Sequence, residues 1–320
     1  MIKLTSKAEF INFATNNLTL HCQHWYINCD ENTIKNDAEV KTIFLLHGWM
    51  DCSASWQLVI DYLQQNNSNK NNKKYHFIAF DWRGFGLSKW FNTTYAFVDN
   101  LADLDAIVHY FFPQDNTQKI NIVGHSMGGF ITTLYAGLRP QKVGKFITLE
   151  GFGLAPSSPE VLPTNFERWL SIKNYGNEVS PKFYQHNSKA DFMQWLIHKN
   201  SRLTLERAEF LTEHLAIKND NNKYVFNADA FHKNAIPPTR FHLEDAKVLW
   251  KKVEAEVLWV LAKNSWVYDD FFHHRENGKE DYKNRMQHFK KINEILVENS
   301  SHMLHYDQPE KIAELIQNFF

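Results

Sequence analysis

The chain has 320 residues, of which 43% are hydrophobic, enough to build one large domain with an insertion or two domains. With 35 basic and 36 acidic residues the formal charge is −1, which gives no indication of binding to nucleic acid or to an anionic membrane. No signal-peptide pattern opens the sequence and no apolar run is long enough to span a bilayer, which predicts a soluble, cytoplasmic protein.

The predicted elements begin with a β-hairpin over residues 9–14 and 18–27, followed by a polar loop over 30–39. Short apolar runs, typical of strands buried on both faces of a parallel sheet, lie at 42–47, 77–80, 120–123, 146–149 and 257–261. Helix-like segments separate them at 53–64, 95–112 and 130–138. Because strands and helices alternate, we expect an α/β fold with a mostly parallel sheet and helices on both faces.

The alternation stops after residue 149, and the next predicted strand of the sheet begins at 257. The interval is polar and helix-forming, and prolines lie at both of its ends. We therefore predict a helical cap domain over 155–245, with the core formed by 1–154 and 246–320. An insertion after a central strand lies over the crevice where open α/β sheets bind ligands. The asparagine- and lysine-rich tract 66–74 is interpreted as a solvated loop.

Cysteine and histidine patterns do not indicate a metal site. The three cysteines have no metal-ligand spacing and are interpreted as reduced thiols. Sixteen histidines occur mostly singly, none in a known ligand pattern, and are interpreted as mostly exposed to solvent. We expect no metal and no organic cofactor.

Ser126 is the candidate nucleophile. It lies in Gly-His-Ser-Met-Gly-Gly, residues 124–129, between a strand-like run and a helix-like run. A G-x-S-x-G sequence in that context predicts a sharp strand-to-helix turn that exposes the serine hydroxyl. Glycines at 124 and 128 remove the Cβ atoms that would clash as the chain reverses. The backbone N–H of Met127, unpaired in the first helical turn, is placed to donate to an oxyanion.

The serine needs a base, and the C-terminal segment supplies two histidines. His302 follows a strand-like run at 295–297, and Pro309 then begins the last predicted helix. His305 is the second candidate, which we interpret as a structural loop histidine.

Three motifs give the chain a resemblance to the α/β-hydrolase family: His-Gly-Trp at 47–49, Asp-Trp-Arg-Gly-Phe-Gly at 81–86, and the serine turn. The sequence His-Gly-Trp-Met-Asp at 47–51 looks most like the corresponding segment of the serine hydrolase-like subgroup. The resemblance implies an eight-stranded α/β-hydrolase fold in which His302 is the base. It also implies that the backbone N–H of Trp49 is the second oxyanion donor, beside that of Met127.

The third member of the triad is ambiguous. Most members of the family carry the acid in the loop after the strand matching 257–261, but Ser265 occupies that position here, followed by Asp269 and Asp270. Glu150, at the end of the preceding predicted strand, is the alternative, and some branches of the family place the acid there. A carboxylate ending an apolar strand is costly unless it is paired. We therefore predict Glu150 as the acid and keep Asp269 as the alternative.

These residues predict a serine hydrolase that cleaves carboxylic esters of small to medium apolar acyl groups through an acyl-enzyme. The family's dehalogenases and epoxide hydrolases need an aspartate at the position of Ser126. The same triad would also suit a carbon–carbon bond hydrolase, a lactonase or a cofactor-free perhydrolase, and a ligand receptor with residual hydrolysis is a further alternative. The expected partner is a small-molecule ester, and both a monomer and a homodimer fit the sequence.

Overall fold

The structure, a computed structural model, describes residues 4–14, 17–70, 73–92, 94–113, 118–153, 158–175, 183–234 and 242–320. Its strands are β1 (Leu4–Phe13), β2 (Leu18–Ile27), β3 (Lys41–Leu46), β4 (Tyr75–Phe80), β5 (Ile120–His125), β6 (Val143–Leu149), β7 (Ala216–Lys218), β8 (Tyr224–Phe226), β9 (Glu256–Ala262) and β10 (Ile292–Val297). Its helices are α1 (Glu31–Asn36), α2 (Gln57–Lys70), α3 (Phe97–Phe111), α4 (Met127–Leu138), α5 (Leu162–Tyr175), α6 (Lys189–Lys199), α7 (Leu205–Leu215), α8 (Phe231–Asn234), α9 (Leu243–Trp250), α10 (Trp266–Asp269), α11 (Gly278–Met286), α12 (Leu304–Asp307) and α13 (Pro309–Phe319).

Eight strands form one sheet in the order β1-β2-β4-β3-β5-β6-β9-β10. The first two strands pair antiparallel, and β2 also runs antiparallel to β4, whereas every pair from β4 to β10 is parallel. The predicted α/β-hydrolase fold with its mostly parallel, eight-stranded sheet is confirmed. Since the strands β3, β5, β6 and β9 all end at the same edge, the loops that follow them meet there.

Helices cover both faces of the sheet because the central strands are apolar on both sides. One face packs against α3, α4 and α9, where Leu104, Ile131 and Trp250 are buried. The other packs against α2 and α13, where Ile60 and Ile316 are buried. This two-sided core holds the carboxyl edge of the sheet rigid.

Two loop predictions were wrong. The segment predicted as a polar loop at 30–39 contains the short helix α1, because the Asp30 side chain caps it by accepting a hydrogen bond from the Thr33 backbone N–H at 2.8 Å. In the tract 66–74 helix α2 continues to Lys70, and β4 begins at Tyr75. Residues 71–72, like residues 15–16 of the predicted hairpin turn, lie outside the described residues.

Between β6 and β9 the described regular elements are helices and one antiparallel hairpin, β7–β8, which the sequence pattern did not predict. This region contacts the core through a bridge between Phe85 and Ala228 and through hydrogen bonds from Gly86 N–H to the Asn227 oxygen at 2.8 Å and from Asp229 N–H to the Gly84 oxygen at 2.7 Å. The division into core and cap at 154/155 and 245/246 stays a prediction.

A search of the described helices finds none that combines the length and apolarity needed to cross a bilayer.

Candidate active site

Ser126 lies at the turn between β5 and α4 with φ 49° and ψ −113°, a backbone conformation that non-glycine residues rarely adopt. The turn is fixed by hydrogen bonds from Ser126 N–H to the Leu149 oxygen at 2.8 Å and from Phe130 N–H to the Ser126 oxygen at 2.9 Å. A Cβ on Gly124 would lie 2.6 Å from the Gly128 oxygen. The tight packing of this turn therefore requires glycine, as the sequence predicts.

The structure brings Ser126, His302 and Glu150 together in one hydrogen-bonded row. The Ser126 hydroxyl lies 2.9 Å from His302 Nε2, and His302 Nδ1 lies 3.2 Å from Glu150 Oε2. Glu150 is 3% exposed, and its other oxygen accepts the backbone N–H of Ala262 at 2.7 Å. Because a carboxylate only accepts, His302 carries a proton on Nδ1 and presents a lone pair to the serine hydroxyl.

Of the two candidate acids, Glu150 is the one that contacts the histidine. It lies directly after β6, with φ 57° and its backbone N–H bonded to the Val260 oxygen at 2.9 Å. Asp269 lies in α10, its side chain 46% exposed and 4.0 Å from His273. Ser265, in the position where most of the family carries the acid, caps α10 by accepting the Tyr268 backbone N–H at 2.9 Å.

Of the two residues predicted to supply oxyanion donors, one directly follows Ser126 and the other follows a glycine that packs against Ser126. Met127 is the first residue of α4, so its backbone N–H belongs to the first helical turn, where no intrahelical acceptor exists. Trp49 follows β3 and Gly48, and a Cβ on Gly48 would lie 3.2 Å from Ser126 Cβ. The chain before Trp49 thus passes directly beside the serine.

Two exposed tryptophans flank this row of residues. The ring of Trp266 lies 5.2 Å from that of His302, and 60% of Trp266 is exposed. Trp49 is 49% exposed. Trp82, in the motif that follows β4, is by contrast fully buried, and its indole N–H donates to the His47 oxygen at 2.9 Å. An apolar group can therefore meet aromatic surface on Trp266 and Trp49 without entering the core.

The expectation that the histidines are mostly exposed was wrong for a large group. Six side chains are buried: His21, His24, His47, His76, His125 and His305. The fold accommodates them because they hydrogen-bond inside the core or stack on aromatic rings. A histidine that occurs singly in the sequence gives no sign of such contacts.

His305, the second candidate base, hydrogen-bonds Asp51 Oδ2 at 3.1 Å instead of the nucleophile. His125, which directly precedes the nucleophile, has its Nε2 2.7 Å from the backbone oxygen of His302. Sequence reasoning missed Asp51 and His125 as partners of the site. Both lie inside the motifs around Trp49 and Ser126. Their position in those motifs was the sequence signal that could have identified them.

A buried carboxylate, an imidazole and a hydroxyl in a row can move a proton from the hydroxyl to the imidazole while the carboxylate stabilises the resulting cation.

Comparison with known proteins gives consistent results. Residues 41–309 match the family model described as alpha/beta hydrolase fold. The chain is 24% identical to "Serine hydrolase-like protein" of Danio rerio, covering 87% of this chain and 81% of that protein. It is 25% identical to human "Serine hydrolase-like protein 2", covering 87% and 86%.

Solved structures agree on the fold. The thioesterase domain from the curacin biosynthetic pathway superposes with a TM-score of 0.75 at 18% identity, over 98% of this chain and 99% of that one. A Mycobacterium tuberculosis esterase superposes with a TM-score of 0.65 at 17% identity, over 98% and 91%. Since the family model matches residues 41–309, which is most of the sequence, the chain belongs to the alpha/beta hydrolase fold family.

Proposed function

We propose that this protein is a serine hydrolase that cleaves carboxylic esters of small to medium apolar acyl groups through an acyl-enzyme. The observation that carries the proposal is the row in which the Ser126 hydroxyl lies 2.9 Å from His302 Nε2 and His302 Nδ1 lies 3.2 Å from Glu150. Each contact is within the reach of a proton-transfer hydrogen bond.

In this mechanism His302 accepts the Ser126 proton as the serine oxygen attacks the ester carbonyl. The Glu150 carboxylate holds the imidazole in the tautomer that the attack requires and stabilises the imidazolium. His302 then protonates the leaving alcohol, and water repeats the sequence to release the acid. The first of these proton transfers joins two groups that already touch in the structure, the Ser126 hydroxyl and His302 Nε2.

The oxyanion of the tetrahedral intermediate would be held by the backbone N–H groups of Trp49 and Met127. Two preorganised donors outside bulk water contribute about 3 kcal/mol each to such an intermediate. The substrate's apolar part would contact the exposed rings of Trp266 and Trp49, which favours acyl esters over charged substrates.

The first test is labelling with a fluorophosphonate probe, read by intact mass and peptide mapping. We expect stoichiometric labelling of Ser126 in the wild type. Ser126→Ala should show no labelling, and His302→Ala should label far more slowly while both variants stay folded by circular dichroism. Turnover of p-nitrophenyl esters should fall by about 10⁴-fold or more in either variant.

A panel of esters, thioesters and lactones of increasing acyl length then separates the proposed activity from its alternatives. Preferred turnover of a lactone or a carbon–carbon substrate would replace the ester assignment while keeping the triad. A folded wild type that is neither labelled nor active would contradict the hydrolase proposal and favour a ligand receptor.

A further inference from the structure

Behind the nucleophile lies a buried cluster of one carboxylate and two imidazoles, formed by Asp51, His125 and His305. Each is at most 2% exposed, and one polar atom from each lies within 4.8 Å of the others. Asp51 follows β3, His125 ends β5 directly before Ser126, and His305 lies in α12 just after His302. The cluster thus joins the strand that carries the nucleophile to the loop that carries the base.

Asp51 accepts a complete set of hydrogen bonds. Its Oδ1 accepts from the Tyr306 hydroxyl at 2.5 Å and from the Cys52 backbone N–H at 2.8 Å. Its Oδ2 accepts from the Ser55 hydroxyl and from His305 Nε2–H, both at 3.1 Å. Both carboxylate oxygens of Asp51 thus face hydrogen-bond donors, which is the arrangement of a buried hydrogen-bond acceptor.

The pKa of Asp51 is consistent with these hydrogen bonds. Burial on its own would raise the pKa of Asp51, but the hydrogen bond and the charge of His305 outweigh burial and lower this pKa below its ordinary value. Asp51 is therefore an anion that fixes the ring of His305 by accepting its Nε2 proton.

His125 contacts the base directly. A carbonyl oxygen only accepts, so the 2.7 Å contact from His125 Nε2 to the His302 backbone oxygen requires the proton on His125 Nε2. The His125 ring lies 4.5 Å from the ring of His305 at 51°. Burial, and then the charges of His305 and His302, hold the pKa of His125 well below its usual range, so this ring is neutral.

His302 is consequently held at two points, its ring by Glu150 and its backbone by His125. Because His125 directly precedes Ser126, its hydrogen bond to the His302 backbone oxygen connects the loop that carries the base to the end of the strand that precedes the nucleophile. A neutral His125 also places no positive charge beside the imidazole that becomes a cation during proton transfer.

We propose that His125 is a positioning residue for His302 and that Asp51 and His305 hold His125 in its orientation. The inference rests on the proposed hydrolase function, since its expected effect is on the proton transfer from serine. A misplacement of about 1 Å in such a contact can reduce turnover about 100-fold.

The test compares His125→Leu, which removes the N–H but fills the space, with His125→Gln, whose side-chain amide can again donate to the His302 oxygen. We expect kcat for p-nitrophenyl esters to fall at least tenfold in His125→Leu with KM unchanged, and to recover mostly in His125→Gln. The matched control is His76→Leu, which removes another buried imidazole, in β4, and should leave kcat within twofold.

Asp51→Asn is the second variant, because it leaves His125 in place and remains informative if His125→Leu does not fold. We expect kcat to fall at least threefold with KM unchanged. Unchanged kcat in Asp51→Asn would overturn the role of Asp51 and His305.

Proton NMR of the imidazole region separates this inference from the hydrolase proposal. The proton between His302 Nδ1 and Glu150 should give a downfield resonance in the wild type and in His125→Gln, and a broadened or absent one in folded His125→Leu. That pattern in a protein without turnover would support positioning and reject hydrolysis. Wild-type kcat and resonance in His125→Leu would overturn the inference and leave the hydrolase proposal standing.

Discussion

Glu150 lies where an unpaired carboxylate would destabilise the fold, since it ends an apolar strand and is 3% exposed. Its two oxygens are each occupied, one by the Ala262 backbone N–H at 2.7 Å and one by His302 at 3.2 Å. The left-handed backbone at Glu150, φ 57°, turns the side chain towards His302 within one residue of the strand end. The candidate site therefore depends on single residues, Ser126 and Glu150, whose strained backbone conformations direct their side chains towards His302.

The proposed role of Glu150 as the acid can be tested by a pair of isosteric changes. Glu150→Gln should lower kcat about 10³- to 10⁴-fold, because a neutral amide neither stabilises the imidazolium nor enforces the tautomer. Asp269→Asn, which changes an exposed carboxylate in α10, is the control and should keep kcat within twofold. Steady-state kinetics on one ester decide between them. Activity in Glu150→Gln with loss in Asp269→Asn would make Asp269 the acid.

Substitution of Trp266 tests whether its ring contacts the substrate. Because 60% of the residue is exposed beside His302, Trp266→Ala should raise KM for aryl or long-chain esters several-fold, with a smaller effect on acetyl esters. Trp266→Phe retains an aromatic face and should recover most of the affinity. Equal KM values across the three proteins would remove Trp266 from the substrate site.

At the scale of elements, the position of Ser126 depends on how closely α4 approaches the sheet. Gly128, in the first turn of α4, packs against the end of β3, where an added Cβ would lie 2.5 Å from the Leu46 oxygen and 2.7 Å from the His47 oxygen. These neighbours are backbone atoms of the central sheet and cannot rotate away. A side chain here would push the helix, and the nucleophile with it, away from β3.

Gly128→Ala should therefore destabilise the protein by about 1–3 kcal/mol and lower ester turnover in the fraction that remains folded. Gly144→Ala is the matched control, since the nearest atom to its Cβ would be the Lys119 Cβ at 3.3 Å, with the Asn121 Oδ1 at 3.5 Å and the Ile120 oxygen at 3.6 Å. Urea unfolding midpoints and the rate of fluorophosphonate labelling measure both effects. A midpoint for Gly128→Ala equal to that of the control would show that α4 can move without cost.

At the scale of the whole molecule, histidines that are buried, such as His76, or partly buried, such as His232, couple folding to pH. Burial, followed by the charge of His24, lowers the pKa of His76 to about 3, and burial lowers that of His232 to about 4. His232 lies between the rings of Phe85 and Tyr95, at 3.9 and 3.8 Å, where the region between β6 and β9 contacts the core. Protonating either ring in the folded protein would leave a poorly solvated cation.

The free energy of unfolding should consequently fall as the pH drops below about 6.5, the ordinary pKa of histidine in an unfolded chain. Between that pH and the pKa values of the folded state, the unfolded state binds protons that the folded state does not. The free energy of unfolding stops falling near the folded pKa values. His76 alone contributes a slope of about 1.4 kcal/mol per pH unit, and His232 adds to it in the same direction.

Urea unfolding at pH 7, 6 and 5 measures the slope. His76→Leu should make the dependence on pH shallower, whereas His273→Leu, at an exposed histidine, should leave it unchanged. An identical slope in all three proteins would mean that the buried imidazoles do not control acid unfolding.

Much of the architecture follows from local signals in the amino-acid sequence. Apolar runs and the helical segments between them predicted the parallel sheet, and the glycine-framed Ser126 predicted a strand-to-helix turn. Prediction placed β3, β5, β6 and β9 within a few residues of where they lie. Helix α1 was missed, because the cap at Asp30 depends on one hydrogen bond within a polar stretch.

Contacts between side chains that are distant in the sequence could not be predicted without the three-dimensional structure. Glu150 and Asp269 were both reasonable acids in the sequence, and the contact with His302 depends on how β6, β9 and the C-terminal loop end at one edge of the sheet. The link from Asp51 to His305 likewise joins residues far apart in the chain. The physical reason is that local propensities fix elements, whereas a hydrogen bond between distant residues depends on packing the whole core.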